Sequence, residues 1–170
     1  MNTQTQPQPH RGFMMPLPAS VINSQIVMTQ KKILIVDDSM VIRKTLSMKL
    51  KASGYQVLEA GDGATAVSTI RREKPDLILL DISFPPDVGV GGGVAWDGFL
   101  IMGWVQRMEE AKNIPVFIIT GGTPEQFKSR SEAAGAAAFF QKPIDNEQLL
   151  AAIREKIGEG APPNPTPPVG

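Results

Sequence analysis

Apolar residues fall along this chain in short continuous runs that alternate, from Lys31 onward, with stretches of helical spacing. Four runs are clear: Ile33 to Val36, Leu77 to Leu80, Val116 to Ile119 and Ala136 to Phe140. Tyr55 to Leu58 is a weaker fifth. A strand with one face in water alternates apolar and polar side chains, whereas a parallel strand covered on both faces is apolar throughout. The runs therefore predict a buried parallel sheet.

The segments between them carry helix punctuation. Ser39 is placed to cap a helix with Ile42, Leu46 and Leu50 on one face, and Gly54 permits the left-handed turn that ends it. Asp62 opens a second helix that turns Ala66, Val67 and Ile70 inward and stops before Pro75. Thr123-Pro124-Glu125-Gln126 reads as a capping box with proline at the first helical position, closed by Gly135. Asp145, with Gln148 three residues on, opens the last helix along Leu149, Ile153 and Ile157 to Gly158. A helix from about Asp97 to Glu110 has the weakest punctuation. Right-handed crossovers then set helices on both faces of the sheet, an α/β fold with a doubly wound five-stranded parallel sheet.

Composition bounds the chemistry. The chain has 170 residues, and its ends, 1–30 and 159–170, are rich in Gln, Pro, Asn and small residues and are expected to be disordered, the second as a Pro-rich tail. That leaves one domain over 31–158, with Met14, Met15 and Met28 as alternative starts. Seventeen basic and seventeen acidic side chains cancel, so no global field gathers nucleic acid or an anionic membrane. No apolar run has the length of a membrane span, and the N-terminus lacks the pattern of a signal peptide, which predicts a cytoplasmic protein. There is no cysteine, and the single His10 lies in the N-terminal extension. A site must then be built from carboxylates, hydroxyls, lysine and backbone.

In doubly wound sheets ligands bind beyond the carboxyl ends of the strands. The residues that end the runs are Asp37 and Asp38, Asp81, Thr120 and, just past the last run, Lys142. Three carboxylates at one rim repel each other and one lysine does not neutralise them, so a divalent cation is the natural counter-ion. An all-oxygen site with positions left to water favours magnesium, with manganese as the other ion it accepts. The set suits phosphoryl transfer with Asp81 as nucleophile, because the metal and Lys142 neutralise phosphoryl oxygens and Thr120 donates to one of them.

The motifs Val-Asp-Asp-Ser, Leu-Leu-Asp-Ile-Ser-Phe-Pro, Ile-Ile-Thr-Gly and Phe-Phe-Gln-Lys-Pro, in that order, resemble the receiver domain of two-component response regulators over residues 31–158. The resemblance implies a CheY-like, flavodoxin-like (βα)5 fold with strand order 2-1-3-4-5. It also implies phosphorylation of Asp81 by a histidine kinase or histidine phosphotransfer protein, and a downstream protein target. It makes Asp37, Asp38, Asp81 and the backbone carbonyl of Ser83 the metal ligands, and Thr120 and Phe139 the switch pair. Pro143 is implied to follow a cis peptide bond, and Lys142 to pair with the phosphoryl group.

One departure stands out. Receivers usually follow the third strand with Pro-x-x-Asp-Gly, but here Pro86 to Trp96 separates Pro85 from Asp97-Gly98, an insertion rich in glycine. It lacks the Gly-x-x-x-x-Gly-Lys-Ser/Thr pattern of a nucleotide loop. It reads as a tolerated surface insertion, or as a screen for the phosphoryl site or a partner dock. The next helix, with Phe99, Leu100, Ile101, Met102, Trp104, Val105 and Met108, has hardly any polar face, and a homodimer through 98–108 is one cover for it. Two further readings compete with the switch and its phosphorelay variant: a phosphorylation-independent interaction module on the same fold, and a metal-dependent phosphatase working through an aspartyl phosphate. The phosphatase lacks an Asp-x-Asp signature and a cap domain here.

Overall fold

The computed structural model describes residues 30–83 and 98–161, with 124–126 through their backbone alone. The extension 1–29, the whole insertion 86–96 and the tail beyond 161 lie outside the described residues, as do the expectations placed on them.

Strands and helices alternate: β1 Lys32–Val36, α1 Met40–Ala52, β2 Gln56–Ala60, α2 Gly63–Glu73, β3 Leu77–Asp81, α3 Gly98–Arg107, β4 Val116–Thr120, α4 Pro124–Ala133, β5 Ala138–Gln141 and α5 Asn146–Ile157. All strand pairs are parallel, in the order β2-β1-β3-β4-β5. The run Ala136 to Phe140 is shifted: β5 begins at Ala138, because Ala136 and Ala137 complete the turn out of α4, whose Gly135 has φ 77°. Likewise α3 stops at Arg107, short of the predicted Glu110, and the chain continues through turns.

The capping chemistry operates as the residue types dictate. Ser39 Oγ accepts from the Ile42 N–H, Asp62 Oδ1 from Thr65 at 2.7 Å, and Asp145 Oδ1 from Glu147 and Gln148 at 3.0 and 3.1 Å. Gly54 and Gly158 take positive φ where α1 and α5 end.

Alternate side chains of the central strands feed two cores. Leu34, Val36, Ile78, Leu80 and Ile118 pack with α2 and α3, while Ile33, Ile35, Leu77, Leu79, Phe117 and Ile119 pack with α1 and α5. β3 and β4 are buried along their whole length, which is why their sequences never alternate. Gly98 lies so close to the end of β3 that a Cβ there would stand 2.4 Å from the Ile82 Cα. The chain therefore re-enters at α3 directly over the third strand's end. Among the described residues no helix is long and apolar enough to cross a membrane.

Candidate functional site

Sheet register builds the site. Val36 pairs with Leu80, so Asp37 and Asp81 follow on adjacent strands; Asp81 pairs with Ile119, one residue short of Thr120; and Thr120 pairs with Gln141, one residue short of Lys142. The Lys142 N–H donates to the Thr120 carbonyl at 2.8 Å, extending the β4–β5 ladder to the lysine. The peptide bond from Lys142 to Pro143 is cis, as the resemblance implies.

The Lys142 ammonium donates to Asp37 Oδ2 at 2.7 Å and to Asp81 Oδ2 at 2.6 Å. Asp37 and Asp81 are 3% and 4% exposed, so this cation is the partner that lets two buried carboxylates coexist. Burial pushes the Asp37 carboxyl above its ordinary range, against the hydrogen bonds from Lys142 and from the Ser39 N–H. Burial also pulls the Lys142 ammonium down, but its bonds to Asp37 and Asp81 outweigh this and leave it raised.

Asp81 is oriented through both oxygens. Oδ1 accepts from the Ser83 N–H at 2.7 Å while Oδ2 faces Lys142, and each oxygen keeps a further lone pair. Asp37, Asp38 and Asp81 each bring a carboxylate oxygen within 4.8 Å of the others, with Asp38 exposed and the other two buried. That spacing and a set made of hard oxygens fit a magnesium-sized cation that retains several waters.

Thr120 is fully buried. Its hydroxyl bonds the Ser83 hydroxyl and accepts from the Gly122 N–H at 3.1 Å. Phe139 is partly buried, packs against the α2–α3 core and lines a cavity of about 430 Å³ with Lys128, Ser131 and Glu132 of α4. The structure thus brings Asp37, Asp38, Asp81, Ser83, Thr120 and Lys142 together, with Phe139 on the neighbouring strand.

Two contributors escaped the sequence reading. Arg43 donates from Nη1 to the carbonyls of Asp37 and Asp38 at 2.5 and 3.0 Å, holding the acidic turn from beneath. Its signal was a cation in the first turn of α1, where the helix dipole disfavours one. The Ser83 side chain is the other, and no local pattern announces its contact with Thr120.

A five-stranded parallel sheet of this order, with acids, hydroxyl and lysine converging at its carboxyl edge, defines a receiver fold. The chain belongs to the response regulator receiver domain family, whose model matches residues 33–154. It is 36% identical over 122 residues to the protein PilH of Pseudomonas aeruginosa, covering 72% of this chain and 93% of PilH. It is 33% identical over 130 residues to sporulation initiation phosphotransferase F of Bacillus subtilis, covering 76% of this chain and 96% of that protein. The crystal structure of the chemotaxis protein CheY4 of Vibrio cholerae superimposes with a TM-score of 0.65 at 29% identity, over 75% of this chain and 98% of CheY4.

Proposed function

We propose that Asp81 is the phosphoacceptor of a cytoplasmic switch, charged by a histidine kinase or histidine phosphotransfer protein and read out by a protein target. An Asp81 carboxylate oxygen attacks phosphorus and the phosphorus–nitrogen bond of the donor phosphohistidine breaks, its electron pair leaving with the imidazole. Water later attacks the same phosphorus and restores the carboxylate. The observation that carries this reading is the bridging of Asp37 and Asp81 by Lys142 beside the exposed Asp38.

Asp37, Asp38, Asp81 and the Ser83 carbonyl would hold the divalent ion, which when bound screens the charge that builds on the phosphoryl oxygens. Lys142 supplies a second cation, and Thr120 donates to a phosphoryl oxygen. Space adjoining Phe139 supports a ring that repacks when Thr120 moves, altering the α4–β5 surface. For the donor, Met40 and Val41, at the start of the helix that follows the acidic turn, are exposed, and Val41 lines a groove with Ile42, Lys142, Pro143 and Ile144. Apolar side chains left in water beside a nucleophile suit a surface that is covered during transfer. A homodimer through the 98–108 helix is part of the same proposal.

Incubation with magnesium and acetyl phosphate, followed by intact mass measurement, tests the reading. One added phosphoryl group is expected, and none on Asp81→Asn. An unmodified wild-type protein would favour the phosphorylation-independent module, and onward transfer to a histidine protein would make the chain a relay intermediate.

A further inference from the structure

Thr120 and Ser83 differ in one respect that decides the direction of their shared hydrogen bond. A hydroxyl has one proton and two lone pairs. The Gly122 N–H already occupies one lone pair of Thr120, and the Gly121 N–H donates to Ser83 Oγ at 3.2 Å. Thr120 is 0% exposed, and among the described residues Ser83 Oγ is the acceptor within reach of its proton. If Ser83 donated instead, Thr120 would keep an unpaired buried donor, which native interiors avoid. Ser83 is exposed, so its own proton does not need a protein acceptor. Thr120 therefore donates to Ser83.

Resting on the phosphoacceptor reading above, we propose that the Ser83 hydroxyl is the catch that holds Thr120 in the resting arrangement. The proton Thr120 gives to Ser83 is the one it must give to a phosphoryl oxygen on Asp81, so the two states compete for a single donor. No covalent bond changes in the exchange. Thr120 turns its O–H from Ser83 Oγ to the phosphoryl oxygen, while Ser83 keeps the Gly121 N–H and its contact with water. The catch is rigidly tied to the nucleophile it serves, because the Ser83 N–H is bonded to Asp81 Oδ1 at 2.7 Å. Ser83 is thus a positioning residue, acting on the phosphorylated state through Thr120.

The test is beryllofluoride, a phosphoryl mimic, titrated in magnesium onto the full chain as wild type, Ser83→Ala, Ser83→Thr, Thr120→Ala and the Ser83→Ala/Thr120→Ala double variant. Removing the catch leaves the Thr120 hydroxyl proton unpaired until the mimic arrives, so Ser83→Ala is expected to bind about tenfold tighter. Ser83→Thr, which keeps the hydroxyl, should stay near wild type. The gain should vanish in the Thr120→Ala background, because the effect runs through that hydroxyl. Without beryllofluoride, the Thr120 methyl resonance of Ser83→Ala should move toward its position in the loaded wild type. Unchanged or weaker binding by Ser83→Ala overturns the catch, weaker binding making Ser83 a direct phosphoryl ligand. A gain that survives Thr120→Ala also overturns it. Absence of binding to the wild type would overturn the phosphoacceptor reading and the catch together, whereas wild-type binding without a gain sinks the catch alone.

Discussion

Lys142 carries an unusual share of the site, since a single ammonium compensates two carboxylates that are almost wholly out of water. A charge pair in such a place contributes little net stability, but removing one partner leaves the other charged and unpaired, which is costly. Lys142→Met should therefore cost about 3–5 kcal/mol when a chelator keeps divalent ions away. Magnesium should return much of this, because an ion that binds the folded acidic cluster and not the unfolded chain stabilises by mass action. Urea denaturation with and without magnesium measures both quantities. An equal loss in the two conditions would mean that the ion and the lysine do not compensate the same carboxylates. Arg43 sits outside this exchange: it holds the carbonyls of Asp37 and Asp38, so it fixes the turn and not its side-chain charge.

At the scale of the element, α3 shows where the sequence was sufficient and where it was not. Its run of apolar residues predicted a helix in need of cover on all sides, and the α2–α3 core buries Ile101, Met102, Val105 and Met108. Trp104 remains 37% exposed, and two shallow cavities beside it are shared with Arg71 of α2. Arg71 and Arg107 make no ion pair among the described residues, while Glu109 and Glu110 lie at the end of the same patch. In the proposed dimer, a two-fold axis beside Trp104 would set Arg71 and Arg107 of one copy against Glu110 of the other, Glu109 being paired with Lys112 at 2.7 Å. Trp104→Glu should shift sedimentation toward the monomer at high concentration and leave phosphorylation by acetyl phosphate intact. A wild type that stays monomeric at millimolar concentration would remove this surface from the proposal. Strand and cap positions were legible because each depends on neighbours in sequence: a serine or aspartate before a helix, a glycine after it, a run with no polar break. The acids and Lys142 were legible because strand ends in a doubly wound sheet share one rim. The hydroxyl pair was not, since Ser83 meets Thr120 only through the β3–β4 register, and neither were the side chains that α2 contributes beside Trp104.

Across the whole molecule the two ends of the domain meet at the pole opposite the acids. α1 carries the chain from the Asp37 turn to Gly54 at the amino edge of the sheet, and the Gly54 carbonyl accepts from Gln30 Nε2 at 2.8 Å and from the Ala161 N–H at 3.0 Å. Contacts thus continue past α5 to Ala161. They are close: a Cβ on Gly160 would stand 2.1 Å from the Ser53 carbonyl oxygen, so only glycine lets the strands of backbone touch. Beneath them Tyr55, the only tyrosine of the chain, is 1% exposed and donates to the Gly158 carbonyl at 2.8 Å. Burial, and secondarily the carboxylate of Glu159, push its phenol above the ordinary value of 10.0. A raised phenol means the folded state holds its proton after the unfolded chain has lost it. The stability this contributes is complete below about pH 10 and is lost as pH climbs through the folded value. Absorbance at the phenolate band reports Tyr55 alone, so the midpoint should lie above 10 in buffer and fall to about 10 in concentrated urea. Glu159→Gln should bring the native midpoint part of the way down, leaving the larger effect of burial. Tyr55→Phe should flatten the fall in urea midpoint above pH 10, and should cost about 1 kcal/mol at neutral pH for the lost bond to Gly158. A native midpoint at the ordinary value would show that the turn formed by residues 158–161 stands open in solution and does not close the domain.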